Sequence, residues 1–246
     1  MSGELRLGTR GSQLALWQAN TVAALIAAAG VPACRIVVII TDGDRLQERP
    51  LSEIGGKRLF VKEIEDALLG GQIDLAVHSS KDMSVILPDG LAIAGVLPRE
   101  NPLDAVVLPA RAALISVADL IAALGASPSI GTGSVRRIAQ LTRLLPGARF
   151  TGIRGNLDTR LRKLDEGAHD AIVLAAAGLT RLGFGSRISL SIPADACVPA
   201  PGQGIVAIEV RRGEPHVWDA VARINDADAF DALTAERALV ERLGGG

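Results

Sequence analysis

Apolar and polar positions along the chain alternate in the order typical of repeated strand–helix units. Short apolar runs rich in β-branched residues predict buried strands at residues 5–8, 35–41 and 73–78. Between them, apolar residues recur with helical spacing, first from Ser12 to about Ala29 and again over residues 60–69. The order of strand, helix and strand predicts a mostly parallel sheet with helices packed on it.

A second strand–helix series follows a change of direction near residues 98–102. Its strands are expected at residues 104–108, 129–131, 149–153 and 170–174, and its helices at 116–124, 134–145 and 156–166. One more strand, at residues 205–210, is expected to return to the first sheet. The predicted fold class is α/β, with two units of similar size.

Basic residues stand beside Ser or Thr at four places where a predicted strand ends. The four segments span residues 8–12, 78–83, 131–137 and 153–160. Strand ends and helix N-termini are common anion sites, and guanidinium groups grip carboxylates with two donors. Together the segments predict a cleft for a carboxylate-bearing ligand, although any one of them can also be interpreted as a solvated polar turn.

Composition excludes several classes of protein. A net charge of −1 and 2% aromatic residues argue against nucleic-acid binding. The histidines His78, His169 and His216 lack metal-ligand spacing, so no metal site is expected. Cys34 and Cys197 are too far apart in sequence for a metal or redox motif, and no signal or membrane segment is recognisable. We therefore expect a reducing, cytoplasmic setting.

Seven ordered segments of the chain together resemble one family. They are LRLGTRGSQLALWQA, GGKRLFVKEIEDALL, DLAVHSSKDM, GTGSVRR, IRGNLDTRL, DAIVLAAAGLTRLG and PGQG. They are similar to porphobilinogen deaminase, also called hydroxymethylbilane synthase. The resemblance implies two type II periplasmic-binding-protein-like domains joined by a hinge, at residues 1–97 plus 205–222 and at 103–198. It also implies a third α+β domain that is largely missing, of which residues 227–246 would be a remnant.

The resemblance also implies a reaction. The family is a transferase of haem and other tetrapyrrole biosynthesis that joins four porphobilinogen units into hydroxymethylbilane with loss of ammonia. The growing polypyrrole is built on a dipyrromethane cofactor, held by a thioether to a cysteine. Porphobilinogen and the polypyrrole would be the partners of a cytoplasmic monomer that binds neither nucleic acid nor membrane. Each pyrrole ring carries two carboxylates, which agrees with the predicted cleft.

Site residues are carried over from the matching positions. Asp82 corresponds to the family's catalytic carboxylate. The substrate- and cofactor-binding positions are Arg10, Ser12, Phe60, Ser79, Lys81, Thr132, Ser134, Arg136, Arg137, Arg154, Arg160, Arg181 and Gln203. For Phe60, a place in a helix core is an equal alternative. The polar, aperiodic stretch 43–58 is expected to act as a mobile lid.

The family's cofactor cysteine is expected just beyond residue 246, and neither Cys34 nor Cys197 matches it. These residues alone are therefore expected to carry no covalent dipyrromethane and to show no sustained turnover. Two alternatives to an active enzyme remain. One is a truncated, inactive deaminase, and the other is a two-lobed module that binds small anionic solutes. A carboxylate in the cleft argues against the second.

Overall fold

Two separate five-stranded sheets are found among the residues that this computed structural model describes, namely 4–45, 61–109 and 113–245. The ten strands, in chain order, are β1 (Leu5–Thr9), β2 (Cys34–Val38), β3 (Leu75–Ser79), β4 (Leu91–Val96), β5 (Asp104–Val107), β6 (Ser129–Gly131), β7 (Arg149–Thr151), β8 (Ala171–Ala175), β9 (Leu190–Ile192) and β10 (Val206–Arg211). The chain divides into two units, Met1–Glu100 with Ile205–Gly246, and Asn101–Gly204.

Helices connect these strands. They are α1 (Gln13–Ala28), α2 (Asp42–Arg45), α3 (Lys62–Leu69), α4 (Val117–Leu124), α5 (Val135–Leu144), α6 (Leu157–Asp165), α7 (Ala176–Arg181), α8 (Pro215–Ala222) and α9 (Ala227–Arg242). Short 3-10 turns cover Ser80–Asp82 and Gly185–Arg187. No helix in the described part of the chain is long and apolar enough to cross a membrane.

Local sequence accounts for where the helices begin and end. The Ser12 hydroxyl accepts a hydrogen bond from the Ala15 backbone N–H and so caps α1. Gly30 follows that helix at a φ of +73°, a conformation that disfavours other residues. Ser116 and Asp119 form the capping box expected at the start of α4.

The two sheets share one arrangement. Their strand orders are β2-β1-β3-β10-β4 and β7-β6-β8-β5-β9. In each, the first three strands of that order are parallel, and the fourth is antiparallel to both of its neighbours. The strand expected to return to the first sheet does so as β10. Because an antiparallel strand runs in the opposite direction, it begins at the sheet edge where the neighbouring strand ends. Val206 at the start of β10 therefore pairs with Ser79 at the end of β3, and Asp104 at the start of β5 pairs with Ala175 at the end of β8.

Each sheet is covered on both faces by separate apolar clusters. In the first unit, Leu7, Val77 and Ile208 belong to one apolar cluster with residues of α1 and α8. In the second unit, Val106 and Val173 belong to a cluster with Leu141 of α5. Parallel strands buried on both faces explain the continuous apolar runs seen in the sequence.

Some elements differ from the sequence-based expectation. Helices α2 and α7 and strand β9 were not predicted, and β2 ends at Val38 rather than near residue 41. Helix α9 lies in the first unit, where Ala229 and Leu233 pack with Val96 of β4. The assignment of residues 227–246 to a third domain stays a prediction.

Candidate active site

The first group of site residues lies at the edge of the first sheet where β1 and β3 end. These strands are parallel neighbours, with Gly8 opposite Ala76. Arg10 and Ser12 follow β1, while Ser79 ends β3 and Asp82 ends the 3-10 turn after it. Sheet geometry thus brings together two segments that are almost 70 residues apart in sequence.

A cleft of about 430 Å³, counted with the space open to solvent, lies at this edge. Its lining combines cationic, hydroxyl, carboxylate and apolar groups: Arg10, Ser12, Leu14, Ala15, Gln18, Val61, Val77, His78, Ser79 and Asp82. Four of the residues predicted from sequence therefore share one concave surface, which is the usual shape of a small-molecule site.

Gln18 was missed by the sequence analysis. It is 2% exposed on α1, and its Nε2 donates to the Ser79 Oγ over 2.9 Å. This bond ties the end of β3 to the first helix. A polar residue on the buried face of an apolar helix was the available signal.

The second group lies at the corresponding edge of the second sheet. Thr132 follows β6, and its backbone N–H donates to the Thr151 carbonyl oxygen at the end of β7 over 2.8 Å. The Thr132 Oγ1 accepts from the Ser134 N–H at 3.3 Å, and Ser134 caps α5. The turn between strand and helix therefore places Arg136 and Arg137 in the first turn of α5.

Both arginines contact Asp104, a residue that the sequence analysis did not select. Arg136 donates to both Asp104 oxygens, at 2.6 and 3.0 Å, and Arg137 Nε donates to Oδ1 at 2.9 Å. Asp104 has no exposed surface, whereas the Arg136 side chain keeps 24% exposure. Two guanidinium groups against one carboxylate leave this cluster with a net positive charge.

Two opposing effects, burial and the neighbouring arginines, determine the pKa of Asp104. Burial alone would raise it, but the hydrogen bond from Arg136 and the charges of Arg137 and Arg136 lower the pKa to about 2. Asp104 is therefore ionised at neutral pH and holds both arginines in place.

Gln203 and Arg181 lie beside this cluster. Gln203 Nε2 donates to Asp104 Oδ1 at 3.0 Å and to the Pro102 carbonyl oxygen at 2.6 Å. Arg181 Nη2 donates to the Gly204 carbonyl oxygen at 2.7 Å. The predicted residues Arg136, Arg137 and Gln203 thus all contact Asp104, and Arg181 contacts the residue that follows Gln203.

The remaining described residues of the predicted site are Arg160, Arg154 and Lys81. Arg160 Nε donates to the Gly155 carbonyl oxygen at 2.8 Å, at the start of α6, and Arg154 precedes that helix by three residues. Lys81 is half-buried in the turn that ends at Asp82. Phe60 and most of the expected lid, residues 43–58, lie outside the described residues.

Neither cysteine is suited to hold a cofactor through a thioether. Cys34 begins β2 and so lies at the sheet edge opposite Arg10 and Asp82, and burial with the charges of Glu4 and Asp74 raises its pKa to about 11. Cys197 contacts the arginine cluster, with its Sγ 3.5 Å from Asp104 Oδ2 and 3.7 Å from Arg136 Nη1. It has no exposed surface, however, and burial together with the charge of Asp104 raises its pKa. A high pKa disfavours the nucleophilic thiolate.

The cluster of Asp104, Arg136 and Arg137 nevertheless fits a dipyrromethane that carries carboxylates. The Asp104 cluster keeps net positive charge and a partly exposed Arg136, so a further carboxylate can be bound there. The described residues therefore suit the cofactor's charged groups but offer no thiol suited to a thioether.

Comparison with known proteins identifies the family. Residues 5–219 match the family model described as porphobilinogen deaminase, dipyromethane cofactor binding domain. A porphobilinogen deaminase of Syntrophomonas wolfei subsp. wolfei is 48% identical over 98% of this chain and 77% of its own length. The porphobilinogen deaminase of Pelobacter propionicus is 46% identical over 99% of this chain and 76% of its own.

A solved structure supports the fold independently. An ancestral cationic amino acid solute-binding protein matches with a TM-score of 0.52 at 15% identity, over 96% of this chain and 94% of that chain. At this identity the likeness concerns the fold alone, and it confirms the predicted type II periplasmic-binding-protein class. Sequence identity over nearly the whole chain gives the narrower result that the chain belongs to the porphobilinogen deaminase family.

Proposed function

We propose that this protein is a transferase that joins four porphobilinogen units into hydroxymethylbilane, releasing one ammonia for each unit, in tetrapyrrole biosynthesis. One observation carries the proposal. In a chain of this family, Asp82 lines the same cleft as Arg10 and Ser12, at the ends of two adjacent parallel strands. The cleft therefore combines a carboxylate with groups that bind carboxylates.

Asp82 is the proposed catalytic residue. Loss of ammonia from porphobilinogen leaves a cation that is delocalised onto the pyrrole nitrogen. A fixed carboxylate beside that nitrogen accepts a hydrogen bond from the N–H and stabilises the positive charge as it develops. The rigid end of β3 holds Asp82 in place during this step.

The basic residues are proposed to bind the acetate and propionate groups of the rings. In the first unit these are Arg10 and Lys81, with Ser12 and Ser79 as hydroxyl donors. In the second unit they are Arg136, Arg137, Arg154, Arg160 and Arg181, with Thr132, Ser134 and Gln203. The family's dipyrromethane supplies the pyrrole carbon to which the first substrate unit is joined.

Setting and assembly are part of the same proposal. The two thiols are free, which is typical of proteins in a reducing compartment, so we place the protein in the cytoplasm. A net charge of −1 supports a function without nucleic acid. Exposed large apolar side chains such as Trp17, Ile86 and Ile115 come from separate segments, which supports a monomer.

Product analysis tests the reaction. The assay uses the chain carrying the family's attachment cysteine in a C-terminal extension taken from the Syntrophomonas wolfei relative. We expect four ammonia molecules released for each hydroxymethylbilane formed. Binding of porphobilinogen without release of ammonia would instead support the alternative of a solute-binding module.

Calorimetric titration with porphobilinogen of the chain without that extension, which is expected to show no sustained turnover, tests the proposed carboxylate-binding residues. A charged hydrogen bond contributes roughly 1.5–3 kcal/mol, so Arg154→Gln is expected to weaken binding about tenfold or more. The matched control is Arg143→Gln, which changes an exposed arginine in the last turn of α5. Equal affinities of both variants would remove Arg154 from the proposed site.

A further inference from the structure

A buried histidine and a buried glutamate lie next to each other at the end of β3, just before the Asp82 turn. His78 Nε2 and Glu209 Oε2 are 3.2 Å apart, and the two side chains have 3% and 0% exposure. His78 lies opposite Ala207 in the sheet, so Glu209, two residues further along β10, is its diagonal neighbour on the same face. Neither residue has a role in the reaction as derived above.

Glu209 is costly to bury in this position. Among the described residues, neither of its carboxylate oxygens has a hydrogen-bond partner, and its contact with His78 lacks hydrogen-bond alignment. Taking a carboxylate out of water costs several kcal/mol unless other groups compensate. Poorly satisfied buried groups are rare in native proteins and often accompany functional sites.

The pair sits at the start of the turn that carries Asp82. His78 lines the cleft together with Asp82 and is separated from it by Ser79, Ser80 and Lys81 only. The Ser80 N–H donates to the Ile205 carbonyl oxygen at 3.0 Å, in the residue just before β10. The strand that carries Glu209 therefore contacts the turn directly as well as through His78.

The far end of the turn is held by α9. Arg237 Nη2 donates to the carbonyl oxygens of Ser84 and Val85, at 2.7 and 2.6 Å. Burial lowers the pKa of Arg237, and the charges of Glu209 and Glu241 oppose that shift. Glu209 thus interacts electrostatically with groups at both ends of the segment that contains Asp82.

We propose that Glu209 and His78 are positioning residues, which fix the end of β3 and thereby the Asp82 carboxylate against the reacting pyrrole. The proposal rests on the function proposed above. Errors of about 1 Å in the position of a catalytic group can cost two orders of magnitude in rate. Because other residues bind the ring carboxylates, loss of the pair is expected to lower kcat and to leave KM nearly unchanged.

The test measures kcat, KM and melting temperature in the cysteine-bearing protein for Glu209→Gln, His78→Gln and the double variant. The matched control is Glu4→Gln, which removes the partner of Arg35 in an exposed pair 3.6 Å apart just before β1. We expect both single variants to lower kcat at least about tenfold with KM within about threefold, and the control to change neither.

Residues that act as a pair are non-additive, so the double variant is expected to have about the same lowered kcat as the slower single variant. If the single variants do not fold, the double variant still decides, because it removes both buried titratable groups at once and leaves neither of them without its partner. A parental kcat in the folded double variant, or single effects that multiply, would overturn the proposal. Hydroxymethylbilane formation by the parent protein tests the proposed reaction, whereas the variants test the positioning role of Glu209 and His78. Failure of one proposal can therefore be distinguished from failure of the other.

Discussion

Asp104 holds both arginines at the start of α5, and its complete burial makes that arrangement costly to break. Removing one partner of a buried ion pair leaves the others uncompensated. We expect Asp104→Asn to lower the free energy of unfolding by about 3–5 kcal/mol in chemical denaturation. Glu166→Gln is the control: its pair with Arg162 is exposed, and about 0.5 kcal/mol or less is expected.

The same carboxylate predicts how stability changes with pH. The pKa of Asp104 is about 2 in the folded protein, below the value of about 3.9 for an unfolded chain. A depressed pKa means that its stabilisation is complete above pH 4 and is lost as the pH falls towards 2. The stability difference between parent and Asp104→Asn should therefore shrink over that range; a constant difference would contradict the ion pair.

At the scale of residues, sequence indicated the basic side chains but not all of their partners. Arg136 and Arg137 stand out because two cations in the first turn of a helix oppose its dipole. The negative charge that compensates them comes from Asp104, which lies more than 30 residues earlier in the chain. In the sequence, Asp104 indicates only the start of a strand. Contacts made across a crossover between strands leave no local pattern in a single sequence.

At the scale of elements, strands and helices with clear periodicity or caps were predicted within a few residues. Helix α7 was missed because it follows β8 without a loop, in one apolar run over residues 171–179. A buried strand and a buried helix cannot be distinguished by periodicity in such a run. Strand β9 has three residues and is recognisable only from its pairing with β5.

Helix α9 gives a test of packing at this scale. Leu233 is 2% exposed and packs in a cluster with Val96 and Met83, close to the Asp82 turn, whereas Leu239 on the same helix is 61% exposed. Leu233→Ala is expected to lower the free energy of unfolding by about 2–5 kcal/mol because it leaves a cavity. Leu239→Ala should change it by less than about 0.5 kcal/mol. Equal effects of the two substitutions would contradict the packing of α9.

At the scale of the whole molecule, both units have one topology without a recognisable sequence repeat. The antiparallel strand of the second sheet, β5, precedes the other strands of that sheet, and the one of the first sheet, β10, follows the entire second unit. Apolar patterning predicted that β10 would return, but not its place between β3 and β4. The placement of β5 and β10 matters for function because each of these antiparallel strands begins at a candidate site.

Asp82 is proposed to perform the chemistry in a cleft at the ends of β1 and β3. The most direct test compares hydroxymethylbilane formation by the cysteine-bearing protein and by its Asp82→Ala variant, with Asp89→Ala as an exposed control seven residues away. We expect turnover to be abolished by Asp82→Ala and kept by Asp89→Ala, with an unchanged melting temperature in both. Turnover by Asp82→Ala within about tenfold of the parent, a barrier change of only ~1.4 kcal/mol, would contradict the claim.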